Sequence, residues 1–304
     1  MSNLMRLDKY FVAKHADFSR SKVQEMIEKG LILVNGVKVK ANYLVKESDK
    51  ISFKLRKKPE KSFKKSGLNF PILYQDKACM VINKPAGVSV YPINSDDKSP
   101  TVLDFVENII KYKFNDPRRP GIVHRLDKET SGVLILAKNQ SSLENLMAQF
   151  KAREVKKVYL ALVSGGLQYP EGIINSPIAR SHRHRKKMSL VGPGLGREAI
   201  SAYKVLKVFR IDHKHIFSLL EVQIFTGRTH QIRVHMSSIG HPVVGDVTYG
   251  NPALNRFFGK KFGFKRQFLH SYLIGFKSPD TKKEISVKAA LPKELKDLKT
   301  RLQL

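Results

Sequence analysis

The sequence has one cysteine, Cys79, among 304 residues, so the chain alone can build neither a disulfide nor a cysteine-based zinc site. Cys79 lies in the apolar segment CMVI, which predicts a buried structural thiol, because reactive thiols need an electropositive and partly exposed setting. No stretch approaches roughly 18 uninterrupted apolar residues, so no membrane-spanning helix is predicted. The start, MSNLMRLDKYF, lacks the hydrophobic segment of a signal peptide, and we expect a cytoplasmic protein.

Acidic residues are scarce relative to basic ones. The chain contains 26 Asp and Glu against 56 Lys and Arg, a formal net charge of +30. A polyanionic partner explains this imbalance, since cations placed on phosphates release condensed counterions. The composition therefore favours a nucleic-acid-binding protein. The alternatives are a merely soluble basic protein and one held by lysines on an anionic membrane surface.

Several cofactor motifs are missing. The sequence has no GxGxxG or GxxxxGK[ST] loop, which argues against dinucleotide or nucleoside triphosphate chemistry, and it has no HExxH segment. Five histidines lie in basic or strand-like segments without ligand spacing or acidic companions: His182, His184, His230, His235 and His241. We therefore expect no metal and no cofactor.

Residues 1–53 have a pattern of their own. Leu7 and Phe11 share one face of a first predicted helix, and Ser19 is placed to cap a second. Gly30 is a typical helix stop, and Asn35-Gly36 is a strong turn signal between two alternating runs. The pattern predicts two helices followed by a hairpin.

The segment 54–65 holds seven basic residues in twelve, with one proline and little to bury, so we expect 54–67 to be a linker. From 68 to 304, apolar runs typical of strands alternate with the helical stretches TVLDFVENIIKYK and SSLENLMAQFKA. The two types mix without a regular repeat. An α+β domain with a mixed, mainly antiparallel sheet is the predicted fold class, and the length suits two domains.

The segment GIVHRLDKETSGVLILAK carries a polar loop with a turn-forming Gly132 directly into an apolar strand, which places Asp127 at the mouth of that strand. Loops held by rigid sheets commonly carry catalytic groups. By composition alone, a capping or turn role for Asp127 is the simpler interpretation.

The segment SRSKVQEMIEKGLILVNG resembles the alpha-L RNA-binding domain first known from ribosomal small-subunit protein four. The resemblance implies that the second helix and the hairpin present basic residues to structured RNA. It points to Arg20, Lys22, Lys29 and Lys38. The alternative is that these four are ordinary solvated charges.

HRLDKETSG resembles the catalytic motif of the RluA-type pseudouridine synthases, in which the aspartate is the essential carboxylate. Four more segments match that family in order: NKPAGVSVYP at 83–92, KKVYLALV at 156–163, TGRTHQIRVHMSSIGHPVVGDVTYG at 226–250 and FLHSYLIGF at 268–276. The resemblance implies a cofactor-free isomerase that converts uridine to pseudouridine in RNA.

By this resemblance Asp127 is the catalytic carboxylate, as a nucleophile or as a base. Burial disfavours an ionised carboxylate, so a fixed guanidinium nearby is needed to keep it charged. The family's QIR arginine corresponds to Arg233. We expect TGRTHQIRVH to form a strand, with Arg228, His230, Ile232 and Val234 on one face and Gln231, Arg233 and His235 on the other.

The resemblance implies further contacts with the target nucleotide. Tyr159 would stack on the base and is a candidate to remove the C5 proton, and Leu269 would add an apolar contact. His124 or Arg125 would fill the space left by the flipped uridine or hold flanking nucleotides. The alternatives are ordinary core packing for Tyr159 and Leu269 and plain phosphate contact for His124 and Arg125. Tyr91 stands where many relatives carry histidine.

The most similar branch modifies large-subunit ribosomal RNA, and we expect that substrate. Transfer RNA is the alternative target, and a non-catalytic ribosome-assembly factor is the alternative class of protein. The combination of Asp127, Tyr159 and Arg233 in intact motifs argues against the last, because RNA binding alone does not require it. No heptad pattern or apolar interface is visible, so we expect a monomer.

Overall fold

The structure is a computed structural model that describes residues 5–15, 18–53, 68–94, 96–181, 184, 187–212 and 215–302. The chain separates into two compact units, Met1–Lys64 and Lys65–Leu304. The predicted linker, 54–67, lies outside the described residues. Within the described ranges, no helix is long and apolar enough to cross a membrane.

The first unit follows the predicted order of helices. Ser19 caps the second helix, its Oγ accepting a hydrogen bond from the backbone N–H of Lys22 at 3.3 Å. Gly30, with φ of +66°, ends it. Both predictions are confirmed. The elements are β1 Met5–Arg6, α1 Leu7–Lys14, α2 Arg20–Glu28, β2 Ile32–Val34, β3 Leu44–Val45 and β4 Ile51–Phe53.

The predicted hairpin of the first unit is only partly present. Asn35 and Gly36 adopt the positive φ values of a tight turn, 54° and 79°, and Val34 and Val37 form one bridge across it. However, β2 pairs with β4, and β3 pairs with β1. Val37 is 63% exposed, so its alternating run has no buried face to fix it beside β2.

The second unit contains the strands and helices that carry the rest of the chain. They are β5 Ile72–Gln75, β6 Cys79–Lys84, α3 Val102–Ile109, β7 Ser131–Ala137, α4 Gln140–Ala152, β8 Lys156–Ser164, β9 Glu171–Asn175, β10 Ile178–Arg180, β11 Met188–Leu190, β12 Ile200–Arg210, β13 Ile216–Ile224, α5 Gln231–Ser238, α6 Pro252–Phe262, β14 Leu269–Lys277, β15 Glu284–Lys288 and α7 Lys293–Arg301.

One large sheet organises this unit. Its strand order is β5-β6-β7-β14-β8-β13-β12-β9, with β15 paired to β14. Every pairing is antiparallel except that of β14 with β7. The α+β class with a mainly antiparallel sheet is therefore confirmed.

The centre of the sheet is covered on both faces. All seven residues of β7 are buried, and they alternate between two apolar clusters. Leu134 and Leu136 face the cluster that includes α3, whereas Val133 and Ile135 face the one that includes α4. Cys79 is fully buried in the second cluster, where burial raises the pKa of its thiol. Its predicted structural role is confirmed.

Gly132 is required by the sheet and not by a turn, which corrects the sequence interpretation. It lies in β7 opposite Ser271 of β14, with φ of +116°. A Cβ atom at this position would lie 2.1 Å from the Ser271 carbonyl oxygen. Only glycine permits this close approach of the two backbones.

The prediction of a strand at TGRTHQIRVH is wrong, since residues Gln231–Ser238 form α5. His230 begins the helix in the left-handed conformation, with φ of 57°. The alternation of polar and apolar residues misled the prediction, because polar side chains of α5 are also buried and hydrogen-bonded. Gln231, for example, accepts from Thr226 Oγ1 at 2.8 Å and donates to the Ile200 carbonyl at 3.0 Å.

Candidate active site

The loop that carries Asp127 is tied to the body of the unit by Lys84. This lysine is fully buried, and its ammonium group donates to the carbonyls of Pro85, Val88 and Lys128 at 2.8, 2.8 and 3.2 Å. Burial lowers the pKa of Lys84 to about 7, against the opposing charges of Glu129 and Asp127. Lys84 thus holds the backbone immediately after Asp127.

The following residues of the loop are held from the other side. Arg266 donates to the Glu129 carbonyl at 3.0 Å, and Gln267 donates to Thr130 Oγ1 at 2.8 Å. The Thr130 N–H donates a hydrogen bond to the Asp127 carbonyl at 3.1 Å. These bonds fix the backbone of the loop, so the carboxylate of Asp127 projects from a rigid base.

The Asp127 carboxylate receives a hydrogen bond from Arg233 Nη1 at 2.9 Å, across 106 positions of sequence. The same guanidinium donates through Nε and Nη2 to Asp246 at 2.7 and 2.9 Å. Asp246 is fully buried and also accepts from the backbone N–H groups of Thr248 and Tyr249. One buried arginine therefore bridges two carboxylates, of which Asp127 is the accessible one.

The electrostatics of this cluster follow from the geometry. Burial alone lowers the pKa of Arg233, but hydrogen bonds and charges from Asp246 and Asp127 raise it well above its ordinary value. Burial raises the pKa of Asp246, but Arg233 and the backbone donors outweigh it and hold the pKa below the usual range. Arg233 is therefore permanently charged beside Asp127.

Asp127 opens into a cavity of about 1050 Å³. Tyr159 of β8 and Leu269 of β14 line the same cavity and are 7% and 4% exposed. Burial raises the pKa of Tyr159 to about 12, so its phenol keeps its proton near neutral pH. The structure thus brings Asp127, Tyr159 and Leu269 to one cavity and places Arg233, the predicted partner of Asp127, beside them.

The lining of the cavity is strongly basic. Eight Lys and Arg side chains border it against two Asp, which suits a polyanionic ligand. Five of the basic residues are exposed to solvent: Arg118, Arg119, Arg125, Lys151 and Arg153. Arg119 also lies over the ring of Tyr91, 5.9 Å from its centroid, so Tyr91 helps position a basic residue of the cavity.

His124 and Arg125 are adjacent in sequence but differ in their surroundings. His124 Nε2 accepts a hydrogen bond from the Ile135 N–H at 3.0 Å, and its ring stacks on Phe150 at 4.9 Å. Burial, with the charge of Lys157, lowers the pKa of His124 to about 3. Arg125 is exposed and donates no hydrogen bond to any residue that the structure describes.

The four basic residues predicted to bind RNA in the first unit are all exposed. Arg20 pairs with the buried Asp8 at 2.9 Å, while Lys22 and Lys29 both pair with Glu25 at 2.9 and 2.7 Å. Lys38 instead borders a shallow depression with Lys40 and Tyr43. Among the four, Lys38 is the cation most available to a phosphate.

The described histidines that the sequence offered as metal ligands have other partners or lie at the surface. His235 contacts Ser201 Oγ at 3.0 Å and the Ser176 carbonyl at 3.1 Å, and His241 contacts the Ser164 carbonyl at 2.9 Å. His182 lies outside the described residues, and His184 is exposed. In the part of the chain that the structure describes, no group of three or more His, Cys, Asp or Glu could hold a metal.

Sequence reasoning missed the residues that support Asp127. Lys84, Asp246 and Tyr249 lie inside segments matched to the family, NKPAGVSVYP and VGDVTYG, and Arg266 lies just before FLHS. The motifs thus contained a signal, but nothing in the linear pattern said that these side chains point inward. Lysine, arginine and aspartate are rarely buried, so surface positions were the default.

Comparison with known proteins identifies the chain. A family model described as RNA pseudouridylate synthase matches residues 78–238, and an S4 domain model matches 5–51. The chain belongs to the RNA pseudouridylate synthase family. A sequence named uncharacterized RNA pseudouridine synthase in Bacillus subtilis is 34% identical over 96% of this chain and 92% of its own length.

Two further comparisons extend this result. The ribosomal large subunit pseudouridine synthase D of Pseudomonas aeruginosa is 34% identical over 95% of this chain and 89% of its own. The solved structure of human RNA pseudouridylate synthase domain containing 4 has a TM-score of 0.59 and 26% identity, covering 76% of this chain and 92% of that one. The family is one of isomerases, and both RNA-related domains predicted from the sequence are present.

Proposed function

We propose that this enzyme isomerises specific uridines in large-subunit ribosomal RNA, with Asp127 as the catalytic carboxylate. One observation carries the proposal: the accessible carboxylate of Asp127 is paired with a buried Arg233 at 2.9 Å in the wall of a basic cavity. A carboxylate paired with a guanidinium in this way can act as a nucleophile or as a base.

The reaction requires no redox step. The bond from uracil N1 to C1′ breaks, the base turns, and a bond from C5 to C1′ forms. The proton that leaves C5 is balanced by one taken up at N1. The neutral phenol of Tyr159 favours its role in packing against the base over that of a general base in the resting enzyme. Leu269 completes the apolar contact.

A uridine in folded RNA must leave its stack to reach Asp127. Arg125 is the better of the two predicted residues to fill the vacated space, because its guanidinium is exposed at the cavity, whereas His124 is already bonded to β7. The first unit adds RNA contacts, for which we propose Lys38 as the main contributor and Arg20, Lys22 and Lys29 as secondary ones.

The choice of ribosomal RNA rests on the relatives named ribosomal large subunit pseudouridine synthase D. Those relatives come from bacteria, and by analogy with them we propose a cytoplasmic enzyme. A monomer is sufficient because Asp127, Tyr159 and Arg233 come from one chain. Transfer RNA is the alternative substrate, which the experiment below distinguishes.

Pseudouridine mapping tests the proposal. Ribosomal and transfer RNA are compared between cells lacking the protein and cells complemented with wild type, Asp127→Asn or Asp116→Asn. Asp116 is the matched control, since it is the other aspartate lining the cavity and pairs with Arg118 near the surface.

We expect sites in 23S-type RNA to be restored by wild type and Asp116→Asn but not by Asp127→Asn, which should keep its RNA affinity. Restoration of transfer RNA sites instead would overturn the substrate. Full restoration by Asp127→Asn would overturn the catalytic role. If no site depended on the protein, a ribosome-assembly function would replace the enzymatic one.

A further inference from the structure

One histidine lines the cavity into which Asp127 opens, and it is not among the residues that the sequence singled out for catalysis. His230 lines the cavity and is half-buried, and it occupies the left-handed conformation at the start of α5. Its Nδ1 lies 2.9 Å from the hydroxyl of Tyr249. This contact decides where the imidazole proton resides.

The hydroxyl of Tyr249 has one proton to donate, because burial raises the pKa of the phenol and keeps it neutral. Its oxygen already accepts from the Met188 N–H at 2.8 Å. Among the described residues, His230 Nδ1 is the only acceptor within hydrogen-bonding distance of this hydroxyl. This arrangement favours donation from the Tyr249 hydroxyl to Nδ1, which leaves the imidazole proton on Nε2.

The charges around His230 come from three directions. Asp127 and Arg125 belong to the loop before β7, Arg233 to α5, and Asp246 to the loop after the helix. Burial lowers the pKa of His230, and the two arginines act in the same direction against the two aspartates. The neutral ring thus presents an N–H donor beside Asp127 without forming an ion pair that would compete for its carboxylate.

We propose that His230 binds the RNA as a neutral donor, through Nε2–H to an acceptor oxygen of the nucleotide at Asp127, and that Tyr249 is a positioning residue that fixes this tautomer. The inference rests on the proposed function, because it assumes that a nucleotide occupies the cavity. The acceptor is either a carbonyl or hydroxyl oxygen at the reacting centre or a phosphate oxygen beside it.

Three variants separate the parts of this proposal. His230→Ala and His230→Gln share the backbone cost of a left-handed non-glycine residue and differ in the amide donor that Gln retains. Tyr249→Phe keeps the aromatic ring over Arg233, 5.1 Å from the guanidinium, and removes only the hydroxyl. Circular dichroism and melting temperature establish that each variant is folded.

Steady-state kinetics on a modified-site RNA fragment give the first result. We expect His230→Ala to lose roughly 10- to 100-fold in kcat/KM and His230→Gln to recover at least about half of that loss on a logarithmic scale. A loss in kcat assigns the acceptor to the reacting centre, and a loss in KM assigns it to a flanking phosphate. Activity of His230→Ala within about threefold of wild type, or no recovery by Gln, overturns the donor role.

The pH profile tests the role of Tyr249. A hydroxyl that donates to Nδ1 stabilises the neutral ring, so its removal raises the pKa of His230. The fall in kcat/KM of Tyr249→Phe from pH 8 to pH 6 should therefore be at least about threefold steeper than that of wild type. The double variant Tyr249→Phe/His230→Gln should lose this steepness. Parallel profiles of Tyr249→Phe and wild type overturn the positioning role.

A spectroscopic measurement does not depend on turnover. In the ¹⁵N spectrum of the histidine rings of the full chain, the signals that disappear in His230→Gln are those of His230. At pH 7.5, these signals in the wild-type spectrum should have the shifts of the Nε2–H tautomer. A proton on Nδ1 overturns the inference even if the enzyme is active. If the wild-type protein shows the Nε2–H tautomer but modifies no RNA, the proposed function is wrong, and the RNA-binding role of His230 is overturned with it.

Discussion

Asp246→Asn is the most informative test of the charge cluster behind Asp127. Oδ1 of Asp246 accepts from Arg233 Nη2 and from the N–H groups of Thr248 and Tyr249, and Oδ2 accepts from Arg233 Nε at 2.7 Å. The single oxygen of Asn would stay with the two backbone donors. Its NH₂ group would then face the Nε–H of Arg233, donor against donor.

The expected cost follows from burial. The side chains of Asp246 and Arg233 are 0% and 6% exposed, and removing one partner of such a pair costs about 3–5 kcal/mol. For a unit of the size of Lys65–Leu304, this corresponds to a melting temperature lowered by about 6–20 °C. Turnover measured below the new transition should also fall, because Arg233 loses the partner that aims it at Asp127.

The assay is urea unfolding and calorimetry of the wild type and the variant at the same pH. Glu198→Gln is the matched control, since it removes one charge from the pair of Glu198 with Arg153, whose side chains are 49% and 43% exposed. That change should cost less than about 1 kcal/mol. If Asp246→Asn cost no more than Glu198→Gln, the buried pair would not be what holds Arg233.

Three further predictions concern pH, the sheet and RNA contact. Burial lowers the pKa of His124 from 6.5 to about 3, so between these pH values the unfolded state binds a proton that the folded state does not. The free energy of unfolding therefore decreases as the pH is lowered, by about 3 kcal/mol at pH 4. Urea unfolding at pH 7 and pH 4 should show a smaller loss for His124→Gln, and equal losses would contradict this cause. Gly132→Ala should lower the free energy of unfolding by about 3 kcal/mol or more, measured by calorimetry. Gly194→Ala should lower it less, because Gly194 also has a positive φ, +78°, but open space around it, and equal losses would refute the steric argument. Lys38→Ala should weaken RNA binding and lower its salt slope by about 1, whereas the ion-paired Lys22→Ala should change both less, and the reverse order would refute the choice of Lys38.

Much of the fold was predictable because local patterns and burial agree. The runs VLILA and VYLALV became buried strands, and the caps at Ser19 and Gly30 ended up where the sequence placed them. These features depend on neighbours within a few residues. Family motifs also pointed to Asp127 and Arg233 together, and the structure places them 2.9 Å apart.

Other features could not be predicted, because they depend on residues that are distant in sequence. A period-two pattern in TGRTHQIRVH indicates a strand only if one face is exposed, and α5 instead buries residues 231–236 together. The pairing of β2 with β4 likewise depends on which apolar residues reach the core of the first unit. Neither choice is encoded in the segment itself.

By itself the sequence determined the charge, the order of most elements, and the motif residues that identify the chemistry. Only the tertiary structure decided that Asp246 anchors Arg233, that Lys84 and Arg266 hold the loop of Asp127, and that the hydroxyl of Tyr249 lies 2.9 Å from Nδ1 of His230. The physical reason is that burial and fixed distance turn ordinary polar side chains into paired or oriented groups. Both arise only when segments far apart in the chain are packed together.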